Sequence, residues 1–375
     1  MKKLILTAVI SASLLCCGPA LAATVKIGLM APITGAFASE GQDMKKILEL
    51  MIEELNKNQG INGNAIELVV EDDGSTPRSA ATAASRLVAA GVPAVIGTYG
   101  SAVTEASQDI YDEAGIVQVG TGSTSIRLTA KGMQRFFRTC PRDDEQGRVG
   151  VSTLARFGYN NIAILHDNSA YAKGLADEIK RGIEEEKRAK VVFFDALVPN
   201  ERDYSALLTK LRGLNPDAIF FTGYYPEAGL LLRQMAEMKW SVPMIGGDAT
   251  NNVDLVAIAG AAATGFRFIS PPMPADIDNQ QAKDFLAAYQ AKYNSQPSSI
   301  WSVAAGDALN VLVAAMKAKG TDSAAIADFL HNGMPEGLDS LTGKIAFDSK
   351  GDRIGDLYRL YEVNAEGRFV LQPGE

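Results

Sequence analysis

Histidine, cysteine and tryptophan are scarce in this chain, with two, three and two copies among 375 residues. So few soft ligands argue against a transition-metal site, and none is expected. Catalysis has equally little to draw on. His331 falls at the end of a helical pattern, an ordinary place for a C-terminal capping cation. His166 stands beside Asp167 after a strand, with no cysteine near it in sequence. Ser101, His166 and Asp248 are the residue types of a hydrolytic triad, but no G-x-S-x-G elbow presents a nucleophile. Gly97 and Gly100 lack the further glycines of a dinucleotide fingerprint. The expectation is a binding protein without cofactor or metal, not an enzyme. Basic charge is also in short supply. The 36 lysines and arginines against 44 acids give a net charge of -8, which argues against a nucleic-acid partner.

Long apolar runs are rare. The one at the amino terminus, Leu4 to Cys17, follows Lys2 and Lys3 and precedes Gly18-Pro19-Ala20-Leu21-Ala22. A basic start, a short apolar core and a small-x-small end form a secretory signal peptide, with cleavage expected after Ala22. The core is shorter than the ~20 residues a membrane span needs. Leu15 and Cys16 stand where a lipoprotein signal would place small residues before Cys17, which disfavours lipid anchoring. Cleavage removes Lys2 and Lys3 and no acid, so the charge moves from -8 to -10. It also leaves Cys140 as the last cysteine, which excludes an intramolecular disulfide. A chain this long can bury a large core without one. No second membrane span is expected, and the periplasm is the expected location.

What the chain does have is regular alternation. Apolar runs at Val25 to Met30, Ile66 to Val70, Ala94 to Gly97 and Ile116 to Val119 are separated by helical patterns. A second series follows Arg142, with runs at Ile162 to Leu165, Val191 to Phe194, Ala218 to Phe221 and Val242 to Ile245. Strands alternating with helices of this length predict α/β layers around parallel sheets. Asp143 and Gln146 have capping-box spacing. Gly265 to Ile269 reads as a connecting strand before the proline-dense Ser270 to Pro274, a crossover. Three helices and two strand-like segments complete the chain. The expectation is two lobes joined by three crossings, residues 23–142 with 271–345 and residues 143–270 with 346–375, after a signal segment at 1–22.

Ligands of open parallel sheets sit at the carboxyl ends of strands. Thr98-Tyr99-Gly100-Ser101 and Gly120-Thr121-Gly122-Ser123-Thr124 occupy such ends, with hydroxyls and free N–H groups suited to a carboxylate. The proposed holders are Ser101 and Thr124, with backbone help around Gly122 and Ser123. In the second series, Tyr171, Tyr224 and Asp248 follow strands, and Asp248 suits an ammonium group. All of these residues also serve as turn, cap and edge-covering residues, so local pattern leaves both readings open. A ligand with both charges would bridge the lobes and favour closure.

Several stretches in order give the chain a resemblance to the periplasmic leucine/isoleucine/valine-binding proteins, which have the type I periplasmic binding fold. They include Lys26-Ile27-Gly28-Leu29, Gly60-Ile61-Asn62-Gly63-Asn64, Arg138-Thr139 with Asp143 and Gln146-Gly147, Tyr171-Ala172-Lys173-Gly174, and Gly223-Tyr224-Tyr225-Pro226-Glu227. The resemblance implies that Ser101, Gly122 and Thr124 hold an amino-acid carboxylate. It implies that Asp248, with Gly122 and Thr124, holds the ammonium. Tyr171 would close over the ligand and Tyr224 would form an aromatic wall. It further implies a free amino acid as ligand, an inner-membrane ABC importer as partner, and a monomer. The side-chain pocket departs from the family pattern. Glu40 stands where an aromatic residue is expected, Tyr99 where an aliphatic one is, Gly100 where a cysteine is, and Gly306 where a tyrosine is usual. Glu40 either turns outward or meets a polar or basic ligand side chain. A different small carboxylate, amide or aromatic acid on the same scaffold is the alternative ligand class.

Overall fold

The computed structural model describes residues 24–373, so the segment read as a signal peptide lies outside the described residues. The first lobe opens with β1 (Val25–Ala31), α1 (Ala38–Lys57), β2 (Ile66–Asp72), α2 (Pro77–Ala89), β3 (Ala94–Ile96), α3 (Ser101–Glu113), β4 (Val117–Gly120), the single turn α4 (Arg127–Ala130) and β5 (Phe136–Arg138). The second lobe contributes α5 (Asp143–Arg156), β6 (Asn161–His166), α6 (Ala170–Glu186), β7 (Lys190–Ala196), α7 (Ser205–Gly213), β8 (Ala218–Phe221), α8 (Tyr225–Glu237), β9 (Met244–Gly246), α9 (Asp254–Ala259) and β10 (Arg267–Ser270). Next come α10 (Gln280–Tyr293), α11 (Ile300–Lys319), α12 (Ser323–Asn332), β11 (Leu338–Ser340), β12 (Gly343–Ile345), β13 (Arg359–Val363) and β14 (Phe369–Leu371).

The first sheet is wholly parallel, in the order β2-β1-β3-β4-β5. β1 is buried along almost its whole length, as expected of a strand covered on both faces. The second sheet runs β14-β13-β10-β9-β8-β6-β7. Its β13 and β14 are antiparallel, so this sheet is mixed at one edge. The segment expected as a connecting strand is β10, a full member of that sheet, parallel to β9. Local chemistry sets several helix starts. Thr76 accepts the Ser79 N–H ahead of Pro77, and Ser169 accepts the Ala172 N–H.

α11 corrects the expectation that no further apolar stretch is long enough to span a membrane. It has the length and hydropathy, but most of it is buried, packed on α1, β3 and α12 as the core helix of the first lobe. The expected last crossing also sits too early at 345/346. The Arg138 N–H donates to Gly351 O, Arg138 Nε donates to Asp352 Oδ1 (2.5 Å), and Arg353 Nη1 donates to Thr139 O. The stretch through Arg353 therefore remains bound to the first lobe, and the chain crosses after it.

Candidate ligand-binding site

The carboxyl ends of both sheets face each other, and the facing surfaces are in contact. Asn252 Nδ2 donates to Glu40 Oε1 (2.7 Å) and Trp301 Nε1 donates to Asp248 O (3.2 Å). Tyr225 Oη donates to Ala36 O (3.2 Å), and the Phe37 ring stacks on Tyr224 with centroids 4.3 Å apart. Each contact joins an element of the first lobe to one of the second.

On the first lobe, Ser101 opens α3 behind Gly100, and no side chain caps that helix. Its uncapped N–H groups and positive dipole end therefore meet the cleft. Ser101 Oγ accepts the Ser125 N–H at 3.2 Å, which leaves its own proton to donate. Thr124 is fully buried, and its hydroxyl has no hydrogen-bond partner within the protein. At Gly122 a Cβ would lie 2.8 Å from Tyr99 Cδ2 and 3.0 Å from Tyr99 O, so a side chain there would displace the Tyr99 loop. The Tyr99 hydroxyl is buried and also unpartnered.

Asp248 opens a short 3-10 turn after β9 and is almost completely buried. Tyr358 Oη donates to its Oδ2 at 2.8 Å. Burial pushes its carboxyl up to about 7, against the opposing pull of the Tyr358 and Tyr171 hydroxyls and the neighbouring Gln146 amide. Tyr171 Oη accepts the Ala249 N–H (3.3 Å), and its ring lies 5.4 Å from that of Tyr224. Gly247 fits beneath this group, since a Cβ there would come 2.5 Å from Tyr171 Oη and 3.1 Å from Gln146 Oε1.

Some residues mattered in ways their sequence pattern did not reveal. Asp143 and Gln146 form no capping box. Asp143 is the first residue of α5, behind Arg142, and no side chain caps the helix. Both Asp143 carboxylate oxygens and both Gln146 amide atoms are buried without a partner. Burial, and then the charge of Asp248, hold the Asp143 carboxyl well above its usual range. The capping spacing was the only local signal at these two positions, and it pointed to the wrong role. Tyr358 and Trp301 sit in a terminal stretch and a core helix, where no local pattern marks a site. An aromatic ring stands nearby in Phe37, just before α1 and three residues before Glu40, stacked on Tyr224.

One expected site residue is corrected. Glu40 faces neither solvent nor ligand space. It is fully buried, with Oε1 accepting from Asn252 and Oε2 from the Ser299 hydroxyl (2.5 Å) that caps α11. Ser123, expected to contribute its backbone, holds its side chain on Thr104 Oγ1 (2.5 Å) and Thr98 O (3.0 Å), which fixes the loop between Gly122 and Thr124. Gly306 is remote, since a Cβ there would strike Leu341 and Met51 in the first-lobe core. The structure thus brings together Ser101, Gly122, Thr124, Tyr171, Tyr224, Asp248, Tyr99 and Gly100. Ser101 Oγ takes the Ser125 N–H, and His166 Nδ1 takes the Asn168 N–H.

The comparisons with known proteins agree with this architecture. A Leu/Ile/Val-binding protein homolog 3 of Brucella melitensis is 33% identical over 351 residues, 93% of each chain. The leucine-binding protein LivK of Thermotoga maritima superposes with a TM-score of 0.86 at 27% identity, covering 93% of this chain and 98% of that one. LivJ of Streptococcus pneumoniae, solved with isoleucine, gives 0.83 at 29% identity, covering 93% and 100%. The sequence pattern of the periplasmic binding proteins matches residues 24–368, and the chain belongs to that family, with its two-lobed type I fold.

Proposed function

We propose that this protein captures a free amino acid between its lobes in the periplasm and delivers it to an inner-membrane ABC importer. It acts by binding and release, as a monomer, with no turnover. The observation that carries the reading is the opposition of two unlike surfaces. Ser101, Thr124 and the uncapped start of α3 offer hydrogen-bond donors on one side. Asp248, with Asp143 buried near it, offers carboxyl groups on the other, which a cation would hold in the charged form. Two buried carboxylates in one site repel each other and call for a cation. An α-ammonium supplies it, and the α-carboxylate of the same molecule meets the donors opposite. Burying each polar group with its partner turns a desolvation cost into charge-assisted hydrogen bonds. Similarity to proteins named for leucine, isoleucine and valine binding supports an amino acid as ligand.

The test is calorimetry of ligand-stripped mature protein against the common amino acids and their deaminated analogues. An amino acid should bind at least 100-fold more tightly than its deaminated analogue, because the analogue leaves Asp248 buried and unpaired. Equal affinities would refute the ammonium contact. Asp248→Asn should abolish most of this discrimination.

A further inference from the structure

Beside the amino-acid groups lies a second space whose chemistry the preceding reading does not use. A cavity of about 290 Å³ opens between the lobes and shares Tyr99, Gly100 and Tyr224 with the site just described. Its wall carries three carboxylates, Asp73 from the first lobe and Asp167 and Glu227 from the second, and no lysine, arginine or histidine. None of the three is a solvated surface acid, since their exposures are 1%, 8% and 5%.

Each is fixed in place by a backbone donor. Asp73 Oδ1 accepts the Ser75 N–H (2.8 Å), Asp167 Oδ1 the Ser169 N–H (2.8 Å), and Glu227 Oε1 the Asn200 N–H (3.0 Å). Asp73 is the most telling. Its neighbour Asp72 is fully engaged by the backbone N–H groups of Ile33, Thr34 and Gly74 and by the Thr34 hydroxyl. Asp73 Oδ2, by contrast, is buried with no partner in the protein, and the Tyr99 hydroxyl on the same wall is also unpartnered. Adjacent acids at one strand end thus divide the work. One holds the turn, and the other lies on the cavity wall with a buried oxygen left unpartnered.

The cavity begins next to the amino-acid groups. Gly100 directly precedes Ser101, and a Cβ at Gly100 would lie 3.6 Å from the Tyr224 hydroxyl. The missing side chain keeps clear the strip between Ser101 and the cavity. A ligand held at Ser101, Thr124 and Asp248 has this space available for its side chain. A purely hydrocarbon side chain would leave buried carboxylate oxygens against apolar atoms, which is costly. A positive nitrogen would pair with them, and several N–H donors would satisfy their free lone pairs.

We propose that the ligand is a basic amino acid whose side chain passes Gly100 and places its cationic nitrogen among Asp73, Asp167 and Glu227. The proposal rests on the amino-acid reading above, and Glu40, already held by Asn252 and Ser299, takes no part in it.

Calorimetry on the ligand-stripped mature chain tests it with lysine, ornithine and arginine against leucine, isoleucine and norleucine, which has lysine's carbon chain without its side-chain nitrogen. At least one basic amino acid should bind 100-fold more tightly than norleucine. Asp73→Asn, which keeps an acceptor for the Ser75 N–H, should weaken that basic ligand at least tenfold and leave norleucine affinity within a factor of two. Glu227→Gln should act in the same direction, which guards against a single misfolded variant. If leucine, norleucine or a neutral amide such as glutamine binds as tightly as every basic amino acid, this inference fails while the amino-acid reading stands. If no amino acid binds at all, both fail. Unchanged basic-ligand affinity in both variants would also overturn the inference.

Discussion

Asp143 and Asp248 are buried close together. Burial raises both carboxyls, and the charge of Asp248 raises that of Asp143 further. The sign for binding follows directly. An ammonium pairs with the charged carboxylate, so affinity should rise as pH climbs through the Asp248 value of about 7. For one coupled group the gain between pH 6 and pH 8 is about tenfold. Calorimetry in buffers of different ionisation heat should register the proton released on binding. A flat profile would mean that the ammonium meets a different group. At Gly122 the close approach of Tyr99 makes a second residue-scale prediction. Gly122→Ala should cost at least tenfold in affinity, because its Cβ would displace the Tyr99 backbone as well as its ring. The placement of Ser101, Thr124 and Asp248 after strands was legible in sequence because strand ends announce themselves through glycine and hydroxyl clusters. Asp143 and Gln146 were misread because a box-like spacing describes local geometry and carries no information about where a side chain is buried.

Elements are joined across the cleft by single polar side chains, and these set the cost of breaking each joint. Glu40 in α1 accepts both from Asn252 after β9 and from the residue that caps α11. Replacing it with alanine leaves a buried amide and hydroxyl with unmet donors, at about 1–3 kcal/mol for each stranded group. Urea unfolding of Glu40→Ala should show a loss of that order, with Glu40→Gln losing less. The Arg138–Asp352 pair is the corresponding joint between β5 and the returning chain. Arg138 is fully buried and also donates to Ser123 O and Ser125 O, so it positions the loop that carries Thr124. Asp352→Ala should cost about 3–5 kcal/mol, the usual consequence of leaving a buried charge unpaired. It should also weaken ligand binding, since the Thr124 loop would lose its anchor. No local pattern could have joined Arg138 to a residue so far along the chain.

For the molecule as a whole, stability and binding should pull in opposite directions with pH. Glu40, Asp73 and Asp248 each have carboxyls raised to about 7 by burial. Their folded values exceed their unfolded ones, so the stability they contribute is complete below about pH 4 and is lost as pH rises through 7. Ligand-free protein should therefore melt at a lower temperature at pH 8 than at pH 6. Bound ligand should narrow the gap by pairing the charges. A ligand-free protein that gains stability over that range would contradict the burial assigned to these acids. Composition and alternation determined much by themselves: α/β layers, two series of strands, and the strand ends that carry the glycine and hydroxyl clusters. These follow from periodicity and from residue types with few conformational options, both of which act over a handful of neighbours. Tertiary structure alone decided that Glu40 is a clasp, that Asp143 and Gln146 lie buried beside Asp248, that Tyr358 returns to Asp248, and that Asp73 lies buried on a cavity wall. A side chain's charge state and partners depend on what the fold stacks around it, and those neighbours come from segments hundreds of residues apart.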